Sequence, residues 1–390
     1  MSRSVVLCFD GTNNSVHGDR TNVGRLFECL ERSDRQVVYY DPGVGTLSDP
    51  ASLTATGRAV SRALDGAIGH SLRDNYGEAM EFLVRHHRPD DDLFLFGFSR
   101  GAYTARAVAA GIHAVGIIRP EHENMIPYSW SVLTNEQEQG KDDYFKTAAR
   151  FNSSFSSGPT SVHFLGAWDT VSSLGWIWDF RSVPFTSTNP SIRHVRHAVA
   201  IDERRAFFRS NLYCFTGKQE AGGRRIVTPP VPGQDLKEVW FAGVHSDVGG
   251  GYPDEHGQLS KIALQWMIRE ATAPRDITQA GRAVRTACLY VNHDAVARCL
   301  GKTGEQSTPD ALAPANRSLT PRWWIGEILP RRSWDSLSGK KRWRWPNAAK
   351  RRAVAPGSTI HVSVRDRLGD PTVGYRPVNL PPLDQLQVES

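Results

Sequence analysis

Asp92-Leu93-Phe94-Leu95-Phe96-Gly97-Phe98-Ser99-Arg100-Gly101 is the stretch that decides the fold. Asp92–Phe98 is rich in apolar residues on both faces, which predicts a strand inside a parallel sheet with helices covering either side. From Arg100 to Val115 the pattern becomes helical. A serine between such a strand and such a helix, with glycine two residues before and two after, predicts a sharp turn that lifts Oγ above the carboxyl edge of the sheet. The turn also puts the Arg100 amide at a helix N-terminus, where it can stabilise an oxyanion. The competing reading is a glycine-flanked turn in which Ser99 only caps the helix.

Outward from this turn, Val5–Phe9 and Val37–Tyr40 read as two further strands, and Thr21 to Glu31 as a helix opened by Thr21 or Asn22. The three- and four-residue spacing of Val60, Leu64, Ile68, Leu72, Tyr76, Met80 and Leu83 predicts a long helix over 58–87. Val162–Trp168 and Glu238–Val244 read as later strands, Leu259–Ala271 as a helix and Thr359–Val364 as the last strand. This alternation predicts an α/β-hydrolase-like, three-layer fold with a mostly parallel central sheet. Residues 1–300 form the expected core, with a polar insertion around 121–160. Residues 301–390 form a Trp/Arg-rich C-terminal cap or extension that completes the same domain. The Pro-rich tail Arg376–Pro382 is expected to lie extended on the surface.

A serine nucleophile needs a base, and the base needs an orienting carboxylate. In this fold the chain order is Ser, acid, His, with the later members at strand ends. Asp169 follows the Val162–Trp168 strand directly, and His245 follows the Glu238–Val244 strand. His361, in the last strand candidate, competes with His245 for the base role. Gly11 and Thr12, after the first strand, are candidates for a second oxyanion amide. Asp10 has three readings: it bonds the loops around the site, it joins Asp247 in holding a cation, or it forms a local Asx turn. The chain has no HExxH or other His/Cys ligand spacing, so neither a catalytic metal nor a cofactor is expected. Gly249-Gly250-Gly251 lacks the lysine of a phosphate loop and predicts close packing beneath the nucleophile turn.

Composition bounds the rest. With 39% apolar and 23% charged residues in 390, the chain has the balance of a globular enzyme rather than of a disordered chain. Five cysteines without a CxxC pair argue against a disulfide framework and a thiolate zinc site, and fit a chain made in the cytoplasm. The apolar run Val5–Phe9 is too short for a signal core, so any export is expected to need no cleaved N-terminal peptide. Between Arg317 and Arg352 there are eleven Lys/Arg against two acidic residues, so this stretch carries +9 and the remainder −3 of the net +6. It also holds Trp323, Trp324, Trp334, Trp343 and Trp345. Three readings stand: a lipid-headgroup interface, a cap with tryptophans inside and cations solvated, and, least favoured, a nucleic-acid grip.

Taken together, FDGTNN at Phe9–Asn14, YDPGVGT at Tyr40–Thr46, GFSRGAYTAR at Gly97–Arg106, GAWDTVSSLG at Gly166–Gly175, HAVAIDERR at His197–Arg205, HSDVGGGY at His245–Tyr252, WWIGEILP at Trp323–Pro330 and IHVSVRDR at Ile360–Arg367 carry a resemblance. They resemble the uncharacterised α/β-hydrolase family that contains the catalytic domain of type VI secretion phospholipase effectors. The resemblance implies Ser99 as nucleophile, Asp169 as orienting acid, His245 as base, and phospholipid esters as substrate. The rival readings are hydrolysis or acyl transfer on small soluble esters or thioesters, and a non-catalytic membrane- or partner-binding module.

Overall fold

The computed structural model describes residues 3–11, 20–43, 57–134, 141–171, 175–176, 179–180, 183–213, 215–216, 227–228, 231, 234–279, 282–324, 327, 331–335, 340–344, 346 and 348–390. One sheet dominates: β1 (Ser4–Phe9), β2 (Gln36–Asp41), β3 (Asp92–Phe98), β4 (Val162–Trp168), β5 (Ile192–Ala200), β6 (Asp235–Phe241), β7 (Thr359–His361) and β8 (Gln387–Glu389). The strand order is β8-β7-β6-β5-β4-β3-β1-β2, and every pairing in it is parallel. The helices are α1 (Asn22–Cys29), α2 (Gly57–His86), α3 (Arg100–Ala114), α4 (Ile126–Thr134), α5 (Lys141–Phe155), α6 (His245–Gly249), α7 (Gln258–Thr272), α8 (His293–Cys299) and α9 (Val362–Gly369).

The pleat divides the strand side chains between two cores. Val5, Leu7, Leu93, Leu95, Leu165 and Ala167 face α2, α3 and α4. Val6, Cys8, Phe94, Phe96, Phe98, Phe164 and Trp168 face α1 and α7. Complete burial of each large apolar side chain stabilises by about 1.5–3 kcal/mol, which is why the middle strands are apolar on both faces. The result is the three-layer α/β arrangement, with the chain reversing its direction of travel across the sheet at β1. The carboxyl ends of β1 and β3 therefore flank the switch point, where open parallel sheets hold their ligands.

Several elements depart from the sequence reading: β6, for one, runs Asp235–Phe241 rather than Glu238–Val244, so three residues separate it from His245. The strand β5 had no apolar signature, because Arg193, His194, Arg196 and His197 interrupt it. Its buried Arg196 is compensated by Glu270 at 2.5 Å and Asp235 at 2.9 Å. The expected polar insertion folds as α4 and α5, which send Ile126, Leu133 and Phe151 into the α2–α3 core. The strand β7, expected as the last, stops at His361 rather than Val364, because the His361 side chain caps α9 by accepting from the Ser363 amide, and β8 follows where no strand was expected. The Pro-rich tail is pinned at Asn379, whose Nδ2 donates to the carbonyls of Ile201 and Arg352 at 3.0 Å each. Among the described residues no helix is long and apolar enough to cross a membrane.

Candidate active site

Ser99 sits between β3 and α3 at φ 59°, ψ −120°, a conformation L-residues rarely adopt. It persists because its neighbours leave no alternative. A Cβ on Gly97 would lie 2.5 Å from the Gly101 carbonyl oxygen, and one on Gly101 would lie 2.2 Å from that of Phe9. The strand and helix can approach this closely only with glycine on both sides of the turn. Ser99 occupies the N-cap position of α3 but makes no side-chain cap bond. Its hydroxyl instead lies 2.9 Å from His245 Nε2.

His245 opens α6, four residues beyond β6, and is 3% exposed. Its Nδ1 lies 2.5 Å from Asp169 Oδ2. Asp169 follows β4 directly, is fully buried, and has φ 41°. Serine, imidazole and carboxylate thus form one continuous chain at the carboxyl edge of the sheet. Phe98 and Phe208 pack on the imidazole with ring centroids 4.6 and 4.8 Å away, and Trp323 packs on Phe208. Gly249 permits this packing, since a Cβ there would fall 1.9 Å from the Phe98 ring.

Burial pushes the His245 imidazole below its ordinary value, and Asp169 opposes that push. For Asp169 burial acts upward, but the Arg352 guanidinium and the bond from His245 outweigh it and hold the carboxyl well below the usual range. The His245 imidazole is therefore neutral and the Asp169 carboxyl ionised at neutral pH. Next to them, Glu203 accepts from the His245 amide at 3.2 Å and pairs with Arg205 at 3.0 Å. Burial acts to raise Glu203, yet Arg205 brings it down to about 2.

The remaining sequence candidates serve other groups. His361 bonds Ser363 through Nδ1 and stacks on Phe241 at 4.7 Å, so Ser99 has His245 rather than His361 beside it. Asp10 holds loops together: it accepts from the Gly11 amide and Thr21 hydroxyl, both at 2.6 Å, and from the Tyr40 hydroxyl at 2.8 Å. Asp247 does the same for another loop, accepting from Asn316 Nδ2 at 2.6 Å and from the Val244 amide at 3.0 Å. Among the described residues no three His, Cys, Asp or Glu side chains gather as a metal site. The Gly11 amide is turned to Asp10, Arg100 begins α3, and Thr12 lies outside the described residues.

Sequence reasoning missed Arg352, Glu203 and Arg205. Arg352 closes the basic stretch Arg317–Arg352, every reading of which puts its cations at the surface, yet its side chain is 2% exposed. Trp323 packs inward on Phe208, whereas Trp324 is 45% exposed. Trp345 and the side chains of Trp334 and Trp343 lie outside the described residues.

Residues 3–270 match the family model described as T6SS, Phospholipase effector Tle1-like, catalytic domain. A curated relative, the uncharacterized protein YEL023C of Saccharomyces cerevisiae, is 33% identical over 226 residues, which is 55% of this chain and 33% of that protein. Among solved structures, an uncharacterized protein from Pseudomonas aeruginosa is similar at 21% identity and TM-score 0.38, covering 69% of this chain and 45% of that one. The Tle1 effector bound to the VgrG spike from the Type 6 secretion system is similar at 20% identity and TM-score 0.31, covering 66% and 53%. This chain therefore spans a third of the curated relative and about half of each solved chain.

Proposed function

The chain belongs to the family of Tle1-like phospholipase effector catalytic domains, and from that premise we propose that it hydrolyses carboxylic esters of phospholipids with Ser99 as nucleophile. The observation that carries the reading is the continuous Ser99–His245–Asp169 chain, at 2.9 and 2.5 Å. His245 Nε2 takes the proton as Ser99 Oγ attacks the ester carbonyl. Asp169 fixes the tautomer by accepting from Nδ1 and stabilises the imidazolium that forms. The Arg100 amide, in the first turn of α3, supplies one oxyanion donor. His245 then returns the proton to the leaving alcohol and activates water against the acyl-enzyme.

The same reading treats residues 301–390 as completing the hydrolase unit of 1–300, supported by β7 and β8 lying in the one sheet. Export as a type VI effector and membrane contact through Arg317–Arg352 are part of the proposal, supported by the family description and the local charge.

The test is digestion of phosphatidylglycerol and phosphatidylethanolamine vesicles by the full chain beside Ser99→Ala, with products identified by mass. Wild type should release fatty acid and lysophospholipid, and Ser99→Ala should lose at least about 10⁴-fold in rate while keeping its circular dichroism. Wild-type rates from Ser99→Ala would sink the assignment. Preference for monomeric short-chain esters over vesicles would favour the soluble-ester reading.

A further inference from the structure

Asp169 is gripped by more than a triad needs. Its Oδ1 accepts from the Ala200 amide at 2.9 Å and from Arg352 Nη1 at 2.5 Å. Its Oδ2 accepts from His245 Nδ1 at 2.5 Å and from Arg352 Nη2 at 2.9 Å. Arg352 thus meets the carboxylate in a two-pronged fork, a geometry that fixes the plane of the acceptor as well as neutralising it. The same guanidinium donates to the carbonyl of Ala200 at 3.0 Å, at the end of β5, and to that of Phe208 at 2.5 Å. Phe208 is the residue whose ring packs on the imidazole.

The chain leading to Arg352 is strained and pinned. Ala348 and Ala349 stand at φ 49° and 52°, a left-handed pair that residues with a Cβ adopt only under backbone strain. Ala349 is held there from both ends: its amide donates to Glu327 at 2.9 Å, and its carbonyl accepts from Arg204 at 3.2 Å. Glu327, 1% exposed, also accepts from the Ala206 amide at 2.5 Å. Glu327, Ala349 and Arg352 therefore make three hydrogen bonds to the loop 203–208 that walls His245. A buried ion pair is by itself weak support for stability, because desolvation offsets its attraction. Strain upstream and a fork aimed at one carboxylate call for a functional reason.

We infer that Arg352 is a positioning residue for the proposed hydrolysis: its fork holds the Asp169 carboxylate in the plane that receives His245, so the end of the Trp/Arg stretch is a working part of the triad. The inference rests on the Ser99–His245–Asp169 reading and goes beyond it. Two consequences follow. The carboxylate cannot rotate away from Nδ1, so the productive tautomer is always present. The guanidinium also offsets part of the Asp169 charge felt by the imidazole, which keeps His245 unprotonated to lower pH. Among the described residues the charged groups around that imidazole are Asp169 after β4, Arg352 behind it, and Glu203 and Arg205 from the loop after β5, whereas Asp247 on its own helix turns its carboxylate to the Val244 amide and Asn316.

The experiment measures kcat and KM of the full chain on p-nitrophenyl butyrate from about pH 5 to 9, for wild type, Arg352→Gln, Arg352→Lys and Ser99→Ala. Arg352→Gln should lower kcat by ~10–100-fold with KM within about twofold, and move the acid limb of kcat/KM up by about one pH unit. Arg352→Lys, which keeps charge but loses the fork, should leave the acid limb in place and recover part of kcat. An unchanged kcat in either variant overturns the inference. So does a fall in kcat with an unmoved acid limb in Arg352→Gln, which is what a merely structural role predicts. If Arg352→Gln does not fold, Arg352→Lys decides through the downfield NMR resonance of the His245 Nδ1 proton: a depressed kcat with that resonance weakened or shifted supports the inference, and wild-type kcat or a wild-type resonance overturns it. Activity surviving in Ser99→Ala sinks the site reading instead, whereas a dead Ser99→Ala beside wild-type Arg352 variants sinks only this inference.

Discussion

Among the described residues two buried imidazole–carboxylate pairs meet the adjacent residues Asp169 and Thr170, and only one of the two pairs meets a hydroxyl. His245 Nδ1 is 2.5 Å from Asp169, and its Nε2 is 2.9 Å from Ser99 Oγ. His197 Nδ1, on β5, is 2.8 Å from Glu238 on β6, but its Nε2 accepts from the Thr170 amide at 3.2 Å. Glu238 is in turn held by the Tyr213 amide at 2.7 Å. Both rings are oriented by an acid at Nδ1 and present a lone pair at Nε2. In the first pair that lone pair is available to take a proton. In the second it is spent on the backbone of Thr170, the residue directly after Asp169. A buried His–acid pair is thus no mark of catalysis by itself; the atom at Nε2 decides, and the second pair braces the turn that carries the first.

The comparison can be broken in three places. The largest effect is expected from Asp169→Asn, which keeps the volume but offers His245 the wrong tautomer and leaves Arg352 without a counter-charge. Its kcat on vesicles should fall by about 10⁴-fold, with a melting temperature below wild type; a fall under tenfold would mean that Asp169 does not orient the base. Next comes His197→Gln. Activity per folded molecule should stay within about tenfold, while chemical denaturation should show a loss of about 2–4 kcal/mol, because Glu238 is left buried with a poorer partner. Loss of activity on the scale of Asp169→Asn, in a protein still folded, would make the two pairs equivalent and break the contrast.

The smallest effect is one of pH. Burial sets His245 below its ordinary value of 6.5, so the neutral base persists as pH falls through 6.5. Activity should therefore be present at neutral pH and decline only below 6.5, along a single acid limb of kcat/KM. The linked stability has the same sign. Since the folded value is depressed, stability is full above 6.5 and is lost as the pH drops and the buried ring must charge. An acid limb above about pH 7 would show that the Asp169 charge overrides burial.

Much of this site was legible in the chain. Ser99 was readable because its turn is local: an apolar strand, two flanking glycines and a helix within about two dozen residues dictate one backbone path. Asp169 and His245 were readable as strand-end residues, given the fold. The strand β5 was not, because its charges are compensated by Asp235, Glu238 and Glu270, far along the chain. Arg352 was misread for the same reason. In a basic stretch with no acid nearby, a cation is expected in water, and its partner lies 183 residues away.

Sequence alone determined the parallel sheet, the Ser99 turn and the neighbourhood of Asp169 and His245, since strand patterning and turn sterics act over short distances. Tertiary structure alone decided which histidine meets the serine, where Asp10 and Asp247 spend their oxygens, and which arginine enters the interior. Those choices depend on desolvation and on hydrogen-bond partners, and neither is defined until distant segments have packed.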